Sequence, residues 1–334
     1  MARPYRIQFA GACYHVQIRF SSDARAFRGE ADYARFISML ADAAMKHEVV
    51  VYAFCLLKRE VELVVQTPWA NLSLFLQGLQ TGYAQYHHRK YRFEGALVRD
   101  RFRSKVVEAP LCLLALTRSV HVRAIQTSTA RRLNKAGRRK WLTAYKWSSY
   151  RTHIGQGKPL AMIDTRGIQS AFKEPLAARA KAYKAYCEEC LGASDKAFAQ
   201  LMKASPIALG SDAFIAKLKQ QHTSFVRGRK PAHFQVYGRR KKGLSATKIL
   251  QVLARELDVD KQVFLEQRKR VMYRPIASYI LYRFGNLSQD EIAKVLKLNT
   301  GAAVSVQMKR IQQVLKDDKK LAAQVSRIEK ALRA

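Results

Sequence analysis

Acid is scarce in this sequence. Its 334 residues hold 25 Asp and Glu against 61 Lys and Arg, a formal net charge of +36. That imbalance points to a polyanionic partner. Long apolar runs are missing too: none approaches the roughly 18 residues of a membrane-spanning helix. Arg6, Gln8, His15 and Gln17 interrupt the first apolar stretch, which argues against a secretory leader. The five cysteines are irregularly spaced and do not make a disulfide scaffold. A cytoplasmic, nucleoid-associated protein with no membrane partner is the expectation. What the chain does have is 48% hydrophobic residues, enough for real cores and too many for a disordered basic tail. At about 150 residues per domain, its length suggests two domains.

Residues 12–20 alternate. Tyr14, Val16, Ile18 and Phe20 point one way, and Cys13, His15, Gln17 and Arg19 the other, the pattern of a half-buried strand. Helical spacing follows over 31–47, then two strands at 48–56 and 61–66. A helical stripe of Leu72, Phe75, Leu76, Leu79, Tyr83 and Tyr86 covers 71–91. A short strand near 103–108 and a helix over 110–125 complete a β-α-β-β-α-β-α order. That order predicts an α+β domain, an antiparallel sheet with helices packed against it. Residues 130–142 read as a basic loop holding Arg131, Arg132, Arg138 and Arg139. Residues 171–220 read as helical. A linker at 226–243 carries Arg239, Arg240, Lys241 and Lys242 with no acid, and is expected to touch phosphates. From 245 onward the pattern is all-α. The division expected is 1–155, a connector with basic linker over 156–243, and a helical domain over 244–334.

Several short motifs in the first segment fall in a specific order. They are Cys55-Leu56-Leu57 running into Leu63-Val64-Val65, Asn71-Leu72-Ser73, Tyr83-Ala84-Gln85-Tyr86, Gly95, Arg101-Phe102 and Trp147-Ser148-Ser149-Tyr150. With the opening stretch, they make residues 1–155 resemble the REP-associated tyrosine transposases, a branch of the single-tyrosine HUH transposases. The resemblance implies a strand bearing two histidines one residue apart. Side chains at i and i+2 share a strand face, so both imidazoles could hold one divalent metal that polarises a DNA phosphate. A helix tyrosine would then attack that phosphate to give a covalent phosphotyrosine.

The chain departs from that pattern at each catalytic position. Glu60 and Glu62 stand where the histidines are expected, Ser119 at the tyrosine, and Arg123 at a polar Asn. The reading is therefore a scaffold kept for binding, with no catalytic residues, cofactor or metal. An alternative keeps Glu60 and Glu62 as oxygen ligands for magnesium or manganese. Ser119 would need a base beside it, and His121, two residues on along a helix, faces elsewhere. Cys187-Glu188-Glu189-Cys190 is a lone CxxC without a second pair. His87-His88, among Tyr86, Arg89, Lys90 and Tyr91, reads either as a basic-aromatic surface or as structure.

In the third segment, Ser288 with Glu291 makes a capping box at the start of one helix. Asn299-Thr300-Gly301 is a turn. A second helix over 302–316 carries Val304, Met308, Ile311 and Leu315 on its buried stripe. Helix, short turn and helix read as a helix-turn-helix. With Arg268-Lys269-Arg270 and the stretch from Arg274 to Tyr282, residues 245–320 resemble the C-terminal DNA-binding domain of the replication initiator DnaA. That resemblance implies duplex reading by the second helix. Asn299, Thr300, Ser305, Lys309 and Arg310 would lie toward DNA, with Arg268, Lys269, Arg270 and Arg274 beside them. The function expected is a catalytically inactive, domesticated transposase acting as a sequence-specific DNA-binding protein in transcriptional or nucleoid regulation. It would take duplex DNA through the third segment and single-stranded or hairpin DNA through the first. The alternatives are an active single-strand endonuclease or transposase with a remodelled metal site, and an RNA-binding regulator. The oligomeric state is left open, a homodimer included.

Overall fold

The computed structural model describes residues 6–192, 195–226, 244–266, 272–285, 287 and 289–333. The chain forms two compact units, residues 1–238 and 239–334. The first opens with β1 (Ala12–Arg19), α1 (Glu30–Lys46), β2 (Val50–Leu57), β3 (Glu60–Thr67) and α2 (Leu72–Tyr91), then β4 (Arg103–Val107) and α3 (Leu113–Val122). Short helices follow: α4 (Ser128–Arg131), α5 (Lys135–Ala144), α6 (Tyr150–His153) and α7 (Arg166–Gln169). Next come α8 (Leu176–Glu188), α9 (Lys196–Ala204), β5 (Ala208–Leu209) and α10 (Asp212–Val226). The stretch expected as a connector thus contributes helices and one strand to the first unit.

The sheet order is β2-β3-β1-β4-β5. Four strands are antiparallel, while β5 runs parallel to β4, so the sheet is mixed rather than purely antiparallel. Strand β1 differs from the half-buried strand its alternation predicts. Tyr14, Val16 and Ile18 pack under α1 and α2 with Phe36, Leu40, Phe75, Leu79 and Tyr83. Its other face is covered as well: Cys13 and His15 are buried, Cys13 in a second core with Leu116, Val120, Tyr150 and Tyr183. The sheet is sandwiched between two helical layers. β2 alternates between the two cores, and an irregularity between Val51 and Ala53 puts two consecutive residues, Tyr52 and Ala53, in the second. The β2 edge is closed by the Trp147-Ser148-Ser149-Tyr150 stretch. Leu56 N–H donates to Trp147 O, and Ser149 N–H donates to Phe54 O. An edge covered in this way offers no template for foreign strands.

The basic segment 130–142 is mostly helix rather than loop. Asn134 caps α5 by accepting from Gly137 N–H.

The second unit is all-α: α11 (Ala246–Leu257), α12 (Tyr273–Phe284), α13 (Gln289–Val295), α14 (Gly301–Asp317) and α15 (Lys319–Arg333). Ile249, Leu253, Ile280, Leu281, Ile292, Val304, Ile311 and Ile328 make its core. The expected helix-turn-helix pair is α13 and α14. Thr300 caps α14 by accepting from Ala303 N–H. At the joint, a Cβ on Gly301 would meet the Asp290 carboxylate, which would have to shift to admit it. The Ser288 cap lies outside the described residues.

Candidate nucleic-acid interface

The four positions that the transposase resemblance singles out lie on β3, α3 and the turn that follows it. Glu60 and Glu62 share the β3 face that carries Val64 of the second core, because side chains two apart on a strand point the same way. Arg123 follows α3 directly and reaches back over that face. Its Nη2 donates to Glu60 Oε2 at 3.1 Å, and its Nε lies 2.9 Å from Glu62 Oε1. From β1, Gln17 Nε2 donates to Glu62 Oε1 at 3.2 Å, and His15 Nε2 sits 3.2 Å from Glu62 Oε2. Three of these four positions therefore meet in one cluster with a guanidinium at its centre.

The two carboxylates are not equivalent. Burial, then the charge of Glu62, pushes the Glu60 carboxyl above its ordinary value, with Arg123 opposing. Burial would raise Glu62 as well. The hydrogen bond and charge of His15, then Arg123 and Gln17, outweigh it and hold Glu62 below its ordinary value. Glu62 is the anchored anion and Glu60 the partly exposed one. A metal would have to displace Arg123, whose positive charge already touches both carboxylates, and the described residues include no group of three or more His, Cys, Asp or Glu placed to hold one.

Ser119 is half-buried on α3. His121 is no base for it: His121 is fully buried, with Nδ1 2.7 Å from Tyr183 Oη and Nε2 2.7 Å from Ser149 Oγ. Burial, then the neighbouring His153, holds the His121 pKa well below the usual imidazole range. His87, Tyr86, Lys90 and Tyr91 hold the fold together. His87 is buried, and Tyr86, Lys90 and Tyr91 all donate to the buried carboxylate of Asp32, tying α2 to the start of α1. Cys187 is buried beside Tyr183, and Cys190 is half-buried; both are free thiols.

The basic residues expected at DNA divide into three sets. Arg131, Arg132 and Arg139 are exposed. With Lys140, Arg151 and Lys184, Arg139 lines an open depression of 600 Å³ between α5, α6 and α8, although its Nε also pairs with Glu188 at 3.0 Å. Arg138 instead braces the fold, donating to Leu191 O and Arg131 O. Arg274 corrects the expectation more sharply. It is buried, and its guanidinium donates to Phe264 O, Leu296 O and Lys297 O. It fastens α12 to the end of α13, where carbonyls lack helical partners. Arg239, Arg240, Lys241, Lys242, Arg268, Lys269 and Arg270 lie outside the described residues, as do the side chains of Ser305 and Lys309.

On the remaining face of α14, Val306 and Arg310 are exposed, as are Asn299 and Thr300 at its mouth. The Thr300 hydroxyl is already engaged as the helix cap. Gln307 is held by Ser278 Oγ at 3.0 Å, which fixes the rotation of α14 on α12. Val306 is 66% exposed, an apolar side chain on a face otherwise polar. Helical spacing alone puts Val306 on this face without marking it as functional.

No family model matches the chain, and no curated protein matches it. Among solved structures, one that aligns with it is a REP-associated tyrosine transposase bound to a REP hairpin. The alignment covers 49% of this chain and 93% of that chain, at 8% identity and a TM-score of 0.38.

Proposed function

We propose that this protein binds DNA sequence-specifically on a transposase-like scaffold that has given up strand transfer, and that its output is transcriptional or nucleoid regulation. The observation that carries the first part is the closed cluster of Arg123, Glu60 and Glu62. A guanidinium occupies the face where the resemblance puts a metal, and it neutralises the carboxylates that would have held one. A guanidinium cannot generate a metal-activated phosphate electrophile, and His121, the histidine nearest Ser119 in sequence, is engaged by Tyr183 and Ser149 rather than held as the base that a hydroxyl nucleophile needs. What remains is a strongly basic domain suited to holding nucleic acid, single-stranded or hairpin DNA included.

Duplex reading is assigned to α14. Arg310 and Val306 supply the two chemistries of major-groove readout, a fork of donors for a guanine edge and a methyl-sized contact for thymine. The net charge of +36 supplies the sequence-independent attraction.

The test is a denaturing-gel assay for a covalent adduct with hairpin DNA and magnesium or manganese, paired with duplex selection and footprinting. No adduct and a defined footprint are expected. A metal-dependent adduct lost in Ser119→Ala would replace this reading with the active-enzyme alternative. Stronger binding to RNA than to any duplex would replace it with the RNA-regulator alternative.

A further inference from the structure

A second concave site lies in the first unit at the start of β4, where Arg103 stands opposite Gln17 of β1, a partner of Glu62. Arg6, Arg99, Arg101, Phe102 and Arg103 line a cavity of 690 Å³, with Ile207 among its apolar walls. Four arginines are among the residues that line it. Asp100 is the single acid among the described lining residues, and it leans on Arg99 at 3.7 Å. Arg99, Arg101 and Arg103 are exposed. Arg6 is held differently. Its Nη2 donates to Phe102 O at 3.0 Å, and its guanidinium carbon stands 3.7 Å from the centre of the Phe102 ring.

We infer that this cavity takes one nucleotide, with its phosphate on Arg99, Arg101 and Arg103 and its base against Arg6 and the apolar wall. Three features combine to support that choice. The charge demands an anion, and a concave wall of one sign concentrates it. The apolar lining of Val98, Val106 and Ile207 would be wasted on a bare phosphate but suits a planar base. A guanidinium pinned over an aromatic ring is a pre-ordered stacking partner, and such stacking accepts any base. The volume falls within the range of about 300–1,000 Å³ typical of small-ligand sites. The nucleotide could come from an unpaired position of a strand or from solution. The inference deepens the nucleic-acid reading above and rests on it only for the strand source.

The full chain would be titrated with a short labelled single-stranded DNA and with the same strand carrying abasic positions, which keep every phosphate and remove the bases. Free mononucleotide serves as competitor, and Arg101→Glu/Arg103→Glu as the variant. The natural strand is expected to bind about fivefold or more tighter than the abasic one, and the variant should lose that difference while keeping the wild-type melting profile. Displacement by mononucleotide at concentrations similar to those of the strand assigns the source to solution and still supports the site. Equal binding of natural and abasic strands, or a variant that keeps the base preference, overturns the inference. Duplex binding is followed in parallel. If the chain shows no sequence-specific duplex binding while the base preference stands, the proposed function fails and this site survives.

Discussion

The Arg123 cluster and the exposed face of α14 use the same residue type in opposite ways. In the first unit, Arg118, Arg123 and Arg138 turn inward. Arg118 stacks on Tyr186 and pairs with Asp195, Arg123 closes on two glutamates, and Arg138 ties down carbonyls. In the second unit, Arg274 is internal in the same sense, but Arg310 is left to solvent with Val306 near it. A count of positive charges therefore overstates what is available to a polyanion. The useful cations are those with no internal acceptor, and only the three-dimensional arrangement separates the two groups.

The comparison breaks first at the core. Val304 is fully buried on the inner stripe of α14, so Val304→Asp places an unpaired charge in an apolar site. A loss of about 4 kcal/mol or more is expected for the second unit. Calorimetry should show that unit's transition vanish while the first unit's stays. If both transitions move together, the two units do not fold independently.

Next is the ion cluster. Arg123→Ala leaves two carboxylates facing each other with Glu62 buried, and is expected to cost the first unit about 3–5 kcal/mol. Glu62→Gln removes the anchored anion from beneath Arg123 and His15 and should cost a similar amount. Urea unfolding of the first unit reads both. A cost below about 1 kcal/mol for either would mean that the cluster is not what closes this face.

Arg310→Ala sharpens the other side. If α14 reads bases, discrimination between the selected site and random duplex should fall by about 1–3 kcal/mol, roughly tenfold, with little change on random duplex. Equal weakening on both would demote Arg310 to a phosphate-binding role. A charge reversal in the α5–α8 depression, Lys140→Glu, should instead weaken all sequences alike. It should also lower the log–log salt slope by about 0.9 for each duplex phosphate no longer neutralised.

Much of the fold is legible in the sequence. Strand alternation and helical stripes locate β1 to β4, α1, α2 and the α13–α14 pair, because those patterns follow directly from backbone periodicity. The burial of the Cys13 and His15 face is not legible, since His and Cys read as polar until a second helical layer is known to cover them. β5 is only Ala208–Leu209, too short for any period to show. α5 is hidden by its charge, although Asn134 three residues before Gly137 is a cap signal that a closer reading uses. The Arg123 cluster leaves one trace in the sequence. Two acids and one base stand at Glu60, Glu62 and Arg123, a pairing of opposite charges that the letters alone show. Arg274 leaves none, because a buried arginine and a phosphate-binding one look alike in a string of letters.

The smallest expected effect concerns Glu60, and it turns on sign. A carboxyl whose pKa is raised by folding stabilises the folded state at pH below its unfolded value, and that contribution disappears as pH rises through the raised value. Glu62, held low, behaves the other way: its contribution is present above the unfolded value and is lost as pH falls through the lowered one. Two carboxylates two residues apart on β3 should thus pull stability in opposite directions with pH. Glu60→Gln keeps an oxygen that can accept from Arg123 Nη2 and removes the ionisation. Its net effect near neutrality should be about 1 kcal/mol or less, well below the loss expected at Glu62. Its trend is the informative part. From the acid side up to neutral pH, the variant should gain on the wild-type chain, because only the wild type meets the cost of ionising beside Glu62. Paired unfolding curves across that range decide it. A wild-type chain that gains on the variant as pH rises would make Glu60 a second anchored anion, and Arg123 would then be gripped equally from both sides.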